Sequence, residues 1–142
     1  MFIDTHFLSR CVQTLDKANA LLLESQPDSI EYEMYRSAVI KEFEVILEQS
    51  GRLLKKTITP YFASRKIVDR LTFKDIFRNA ANVGLLDIES VERWFEYRDN
   101  RNLTAHDYGF DLAEKTLPLM PSFISDVQFL INMINNQNDN QS

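Results

Sequence analysis

The chain has 142 residues, 44% of them hydrophobic and 26% charged, so it fits one globular domain with a core of ordinary size. Its net charge of −5 argues against indiscriminate nucleic-acid binding, and its single cysteine, Cys11, excludes an internal disulfide. The start of the chain lacks the pattern of a signal peptide, and no apolar run approaches the roughly 18 residues that span a bilayer. We therefore expect a cytoplasmic protein with no membrane-spanning segment, in which Cys11 is a small core residue.

Two long helices are predicted in the N-terminal part of the chain. Apolar residues recur at helical spacing over residues 7–23, and this helix ends before Pro27. Asp28 is the expected N-cap of the second helix, because Glu31 follows three residues later as in a capping box. This helix runs to about Pro60 and carries an apolar stripe with steps of three and four residues, formed by Tyr32, Tyr35, Val39, Phe43, Ile46, Ser50 and Leu53.

Two further helices follow. Thr72 and Asp75 predict a capping box at the start of a short helix, which runs to about Asn82 and ends at Gly84. Residues 87–90 then predict the start of the next helix.

The last helix is predicted to start at Asp111 and Glu114, which form a further capping-box pattern. Pro118 and Pro121 are expected to kink it or to split off its first turns. The helix carries an apolar stripe that again has steps of three and four residues, formed by Met120, Phe123, Val127, Leu130 and Ile134. Residues 136–142 have nothing to bury and are expected to form a disordered polar tail. The sequence thus predicts one all-α domain of about five helices over residues 1–135.

The charge is unevenly distributed along the chain. Residues 51–80 contain eight basic and two acidic residues, a net charge of +6, whereas the remainder carries −11. This basic middle segment can hold RNA, can meet an acidic partner, or can be a solvated face that nearby acids balance in three dimensions. The basic residues are Arg52, Lys55, Lys56, Arg65, Lys66, Arg70, Lys74 and Arg78.

The candidate site is the run Arg101-Asn102-Leu103-Thr104-Ala105-His106-Asp107-Tyr108, with the spacing R-x4-H-x-Y. Arginine presents a fork of donors suited to phosphate, and histidine both takes and gives a proton near neutral pH. Arg101 and His106 are about 140° apart on an ideal helix, so they can converge if the helix ends between them, as Asp107 and Gly109 would allow. We expect this helix to run out at Asp107-Tyr108-Gly109. Arginine and histidine are also common near helix ends for structural reasons, so a structural role remains open.

Other chemistries find less support. Two histidines a hundred residues apart and one cysteine give no metal-ligand spacing, and no phosphate-binding glycine loop is present, so we expect neither metal nor cofactor. His6 is expected at a surface or helix start, and Trp94 and Phe95 in the core or an interface. The neighbouring acids are expected to form the solvated face of their helix: Glu89, Glu92, Glu96 and Asp99.

The fifteen residues from Trp94 to Tyr108, WFEYRDNRNLTAHDY, resemble the HEPN superfamily and in particular its HepT-like, nucleotidyltransferase substrate-binding branch. The resemblance implies an up-and-down helical bundle that dimerises, with two R-x4-H motifs facing one another across a cleft. It also implies a partner, a minimal nucleotidyltransferase (MNT) encoded nearby, with which such proteins form a type VII-like toxin–antitoxin pair.

The resemblance also implies roles for individual residues. Arg101 would bind the scissile phosphate of an RNA substrate, and His106 would act as acid or base in a metal-independent endoribonuclease reaction. Asn102 and Arg98 would position the RNA. Tyr108 would either position the site or be the hydroxyl that the partner modifies with AMP, which would silence the ribonuclease.

Two alternatives remain open. The chain can be a non-catalytic subunit that presents substrate to the nucleotidyltransferase, which the acidic net charge favours. It can also be an inert dimeric scaffold in which Arg101 caps a helix end.

Overall fold

The computed structural model describes the backbone of residues 1–106 and 110–140, and the side chains of residues 1–102 and 113–140. Within these ranges the chain is helical and contains no strand, which confirms the all-α prediction. The described residues form five helices of ten residues or more, as predicted, and two shorter ones, α3 and α6: α1 (His6–Glu24), α2 (Ile30–Ile58), α3 (Arg65–Asp69), α4 (Phe73–Asn82), α5 (Ile88–His106), α6 (Phe110–Thr116) and α7 (Met120–Asn140). The helix α2 packs against α1 and α4, while α1 packs against α7 and α4 against α5.

The N-cap of α2 is Ser29, so the prediction of Asp28 was wrong by one residue. Ser29 has an extended backbone, and its hydroxyl oxygen accepts a hydrogen bond from the Tyr32 amide at 3.1 Å. Serine and aspartate are comparably good N-caps, so the pattern alone does not separate two adjacent candidates.

The helix α2 passes through Gly51 without interruption and supports α4 there. A Cβ atom at Gly51 would lie 2.9 Å from two carbons of the Phe73 ring, which is closer than carbon atoms pack. The glycine therefore lets the ring of Phe73, the first residue of α4, lie directly on the α2 backbone.

The ends of α4 follow the prediction. The Thr72 hydroxyl accepts from the Asp75 amide and the Asp75 carboxylate accepts from the Thr72 amide, both at 3.1 Å, which confirms the capping box. Gly84 follows the helix with a φ of 81°, a conformation that favours glycine. The next helix, α5, starts as expected, because the Asp87 carboxylate accepts from the Ser90 amide at 2.7 Å.

The C-terminal part of the chain is divided as Pro118 suggested. A 3-10 turn over Leu117–Leu119 separates α6 from α7, whose first residue is Met120. The start of α6 at Phe110 precedes the predicted cap, and the Asp111 side chain lies outside the described residues.

The prediction of a disordered tail needs correction for residues 136–140, which continue α7. The Asn138 side chain donates to the Ile3 carbonyl at 2.8 Å and accepts from the Ile3 amide at 2.9 Å. The Thr5 hydroxyl donates to the Asn135 side chain at 2.9 Å. The side-chain amides of Asn135 and Asn138 thus hold the N-terminal segment through hydrogen bonds. A prediction from the pattern of apolar residues does not detect such contacts. Residues 141 and 142 lie outside the described residues.

The core contains the predicted stripes of α2 and α7. From Val39 to Leu53 the α2 stripe is buried, its first two tyrosines are half-buried, and the five stripe residues of α7 are fully buried. Cys11 is buried as expected. Residues 113–140 form a stretch that is long and apolar enough to span a membrane, but most of its apolar side chains pack in this core, with Phe129 an exposed exception.

Candidate functional site

The motif helix α5 is anchored to the bundle by aromatic packing. Trp94 is fully buried, stacks on Phe77 of α4 with ring centroids 4.7 Å apart, and meets Phe123 of α7 edge-on at 5.9 Å. Tyr97 packs edge-on against Trp94 and Phe123. Trp94 is thus a core residue, as predicted, and it joins three helices.

A polar network around the buried carboxylate of Asp126 fixes the same helix to α7. The Tyr97 hydroxyl donates to the Asp126 carboxylate at 2.6 Å and lies 2.8 Å from the Ser122 hydroxyl oxygen. Arg93 donates to both oxygens of Asp126 at 2.8 and 2.9 Å. Burial raises the pKa of Tyr97, and the hydrogen bonds that Arg93 donates to Asp126 raise the pKa of Arg93, so both groups keep their protons at neutral pH. The network sets the rotation of α5 about its axis.

Three of the predicted site residues lie on the described side chains of α5. Arg98 is half-buried, with its guanidinium carbon 5.1 Å from the centre of the Phe73 ring. Arg101, one turn later, is half-buried, and Asn102 is exposed. The stacking on Phe73 orients the donors of Arg98 without consuming them.

The helix α5 does not end between Arg101 and His106, so the condition for their convergence is not met. The helix continues as far as His106, where its described residues end, and the predicted helix end at residues 107–109 lies outside them. No glycine or proline lies between these two positions, so nothing in the local sequence breaks the helix before Gly109. The two residues are therefore about 140° apart around the axis and about 7.5 Å apart along it. The His106 side chain and the whole of Tyr108 lie outside the described residues.

Two contacts missed by the sequence analysis hold α6, the helix after the motif: one to α5 and one to α2. The hydroxyl of the fully buried Thr116, at the end of α6, donates to the Asn100 side-chain oxygen on α5. The Tyr32 hydroxyl on α2 donates to the Glu114 carboxylate, at 2.8 and 2.9 Å from its two oxygens, and Arg36 pairs with Glu114 at 3.4 Å. Burial and this hydrogen bond raise the pKa of Tyr32. No local sequence signal identifies such long-range pairs.

The acidic residues of α5 lie on its solvated side. Glu89, Glu92 and Glu96 are exposed, as expected, whereas Asp99 also pairs with Lys74 of α4 at 2.8 Å. Among the described side chains, no three histidine, cysteine, aspartate or glutamate residues are grouped to hold a metal ion.

The flanking aromatic residue, Phe95, is half-buried rather than fully enclosed. Lys74 and Arg78 of α4 lie 5.4 and 5.0 Å from the centre of its ring. These cations lie over the ring, so Phe95 takes part in the contact between α4 and α5.

Comparison with known proteins places this fold in a family. Residues 7–136 match the family described as nucleotidyltransferase substrate binding protein like. A Haemophilus influenzae protein named probable ribonuclease HepT is 28% identical over 115 residues, which cover 81% of this chain and 77% of that protein.

Two solved structures share the fold. One, from Haemophilus influenzae, is described as having the fold of a substrate binding domain of a nucleotidyltransferase; it has a TM-score of 0.78 at 22% identity and covers 93% of this chain and 99% of its own. The other, from Thermus thermophilus, has a TM-score of 0.66 at 22% identity and covers 87% and 98%. The family match spans nearly all of the helical bundle described above, and the chain therefore belongs to the nucleotidyltransferase substrate binding protein like family.

Proposed function

We propose that the chain is a cytoplasmic, metal-independent endoribonuclease, the toxin of a toxin–antitoxin pair with a minimal nucleotidyltransferase. The observation that carries the proposal is the position of the R-x4-H motif on the last turns of α5, a helix whose rotation is set by the Tyr97–Asp126–Arg93 network. The relative named probable ribonuclease HepT supports it.

The proposed reaction is an internal transesterification of RNA. The 2′-oxygen forms a bond to the adjacent phosphorus and the bond to the 5′-oxygen breaks, which leaves a cyclic phosphate and a free 5′-hydroxyl. A base takes the proton of the 2′-hydroxyl, and an acid protonates the leaving 5′-oxygen. His106 supplies this proton transfer, and Arg101 stabilises the charge that develops on the phosphate oxygens.

A homodimer fits this chemistry better than a single chain. One chain carries one motif histidine, whereas the reaction uses a base and an acid at opposite sides of the phosphorus. The wide angle between positions 101 and 106 on α5 also separates the two side chains within one copy. Two facing motifs would supply two imidazoles and two guanidinium groups to one cleft.

Expression of the chain alone is expected to arrest growth, and His106→Ala is expected to relieve the arrest. Loss of the acid–base group should lower RNA cleavage by roughly 10²- to 10⁴-fold. The matched control is His6→Ala, which removes the other histidine, exposed at the start of α1. Cleavage would be followed on purified protein, with the melting temperature as a check on folding. RNA degradation by His106→Ala at the native rate would refute the mechanism.

We further propose that the partner silences the ribonuclease by transferring AMP to Tyr108. The phenol oxygen forms a bond to the α-phosphorus of ATP, pyrophosphate leaves, and the phenol proton goes to solvent. The bulky anionic adduct, two residues from His106, would block the cleft and repel RNA.

Co-expression with the nucleotidyltransferase is expected to add the mass of one or more AMP units, mapped to Tyr108 by peptide mass spectrometry. Tyr108→Phe should remove the added mass, whereas Tyr61→Phe, which changes an exposed tyrosine outside the motif, should retain it. An AMP adduct on a different residue would contradict this form of regulation. So would a complex with the nucleotidyltransferase that is no longer toxic although the chain carries no AMP.

A non-catalytic role as the substrate-binding subunit of the nucleotidyltransferase is the second candidate. The acidic net charge and the description of the Haemophilus influenzae structure favour it. It predicts no toxicity of the lone chain, together with a complex with the nucleotidyltransferase that persists in His106→Ala.

A further inference from the structure

A second charged site lies away from the motif, where the C-terminal half of α2 meets α3. It is an open pocket of about 480 Å³, lined by Arg52, Lys55, Lys56, Thr59, Arg65 and Asp69. On α2, Lys55 and Lys56 follow Arg52 by three and four residues, so the three side chains share one side of the helix. The volume is within the range of ligand sites, roughly 300–1,000 Å³.

The pocket has an excess of positive charge. Its one carboxylate, Asp69, pairs with Lys55 at 3.2 Å. Among the described side chains, Arg52, Lys56 and Arg65 form no ion pair, and all three are exposed. The chain as a whole is acidic, with a net charge of −5, so this concentration of cations would attract a polyanion to one place on the surface.

Packing connects the pocket to the motif helix. The guanidinium of Arg98 lies over the ring of Phe73, and that ring lies against the backbone of Gly51 on α2. Lys55 follows Gly51 by one helical turn, about 6 Å along the axis, and Arg101 follows Arg98 by about 4.5 Å on α5. The contact between α2, α4 and α5 thus lies between two groups of basic side chains: Arg98 and Arg101 on the motif helix, and Lys55 with the other pocket cations on α2.

We propose that this pocket binds backbone phosphates of the RNA substrate at a distance from the bond that is cut. The inference rests on the proposed ribonuclease function and adds a second contact region to it. Two guanidinium groups and a threonine hydroxyl are suited to phosphate oxygens, which accept paired donors. A concave, open pocket suits an RNA strand that passes through it. Because packing through Phe73 connects the pocket to the motif helix, an RNA that reaches both is favoured as the occupant over an acidic protein surface.

The test compares two triple variants with the same loss of charge. Arg52→Gln/Lys56→Gln/Arg65→Gln empties the pocket of its unpaired cations but retains the Lys55–Asp69 pair. Arg10→Gln/Lys17→Gln/Lys41→Gln removes three exposed cations that do not line it. Binding of a labelled single-stranded RNA would be measured over a series of salt concentrations, with His106→Ala added to both to prevent cleavage.

The pocket variant is expected to bind RNA about tenfold or more weakly than the control variant at physiological salt. The slope of log K against log salt should fall by about 2, since each phosphate contact on a single strand contributes about 0.7. With His106 intact, the same substitutions should raise KM for long RNA and leave cleavage of a dinucleotide unchanged.

Equal RNA affinity and salt slope in the two variants would overturn the pocket assignment, while RNA cleavage by the native chain would leave the proposed function standing. Unchanged RNA binding with loss of the nucleotidyltransferase complex would also overturn it and assign the pocket to an acidic protein partner. A native chain that neither binds nor cuts RNA would refute both proposals.

Discussion

Replacing Arg101 by alanine is expected to lower kcat for RNA cleavage by on the order of 10³-fold, the effect of removing a charged donor from a phosphoryl transition state. Charge on the phosphate oxygens increases as the 2′-oxygen attacks, so the guanidinium stabilises the transition state more than bound RNA. Arg101→Lys should recover only part of the rate, because an ammonium group keeps the charge but loses the planar fork. Steady-state kinetics on a defined RNA would measure both variants.

The matched control is Arg98→Ala, one turn earlier on the same helix. The Arg98 guanidinium lies over Phe73 and is proposed to position RNA rather than to stabilise the reacting phosphate. Its loss should raise KM by about tenfold and leave kcat nearly unchanged, the pattern of an interaction made equally in the ground and transition states. If Arg101→Ala gave the same pattern, Arg101 would be a binding residue and the transition-state role would be wrong.

The helical bundle could be predicted from the sequence because its signals are local. The apolar steps of three and four in α2 and α7, the Thr72–Asp75 capping box and the Gly84 stop each act within one or two turns. The short helix α3 offers only five residues, too few for a periodic pattern. Residues 136–140 are helical, and the Asn138 side chain forms hydrogen bonds to the Ile3 backbone. Their polar composition alone predicts a disordered tail, because it does not reveal these hydrogen bonds.

The candidate site was predictable only in its residue types. The motif identified Arg101 and His106, but their relative placement depends on where α5 ends, and no helix breaker precedes Gly109. The contacts that hold the flanking segments, Asn100 with Thr116 and Tyr32 with Glu114, join residues that lie 16 and 82 positions apart. Such pairs form only when whole helices pack together. No local pattern at these positions in the sequence predicts which residues will meet.

Trp94→Ala is expected to lower the free energy of unfolding by about 3–5 kcal/mol, a large part of the roughly 5–15 kcal/mol typical of a domain. Trp94 is fully buried and contacts aromatic rings of α4, α5 and α7, so its removal leaves a cavity that three helices line. Denaturant unfolding would measure the change. It should be followed by circular dichroism, because Trp94 is the only tryptophan and its loss removes the fluorescence signal.

The adjacent aromatic residue provides the control for Trp94→Ala. Phe95 is half-buried, with two cations over its ring, so Phe95→Ala should lower the free energy of unfolding by about 1–2 kcal/mol, since it removes less buried surface. Trp94→Phe should fall between the native chain and Trp94→Ala, because a smaller ring still fills part of the space between Phe77 and Phe123. Equal effects of Trp94→Ala and Phe95→Ala would mean that the α4–α5 surface, rather than the junction with α7, holds the motif helix in place.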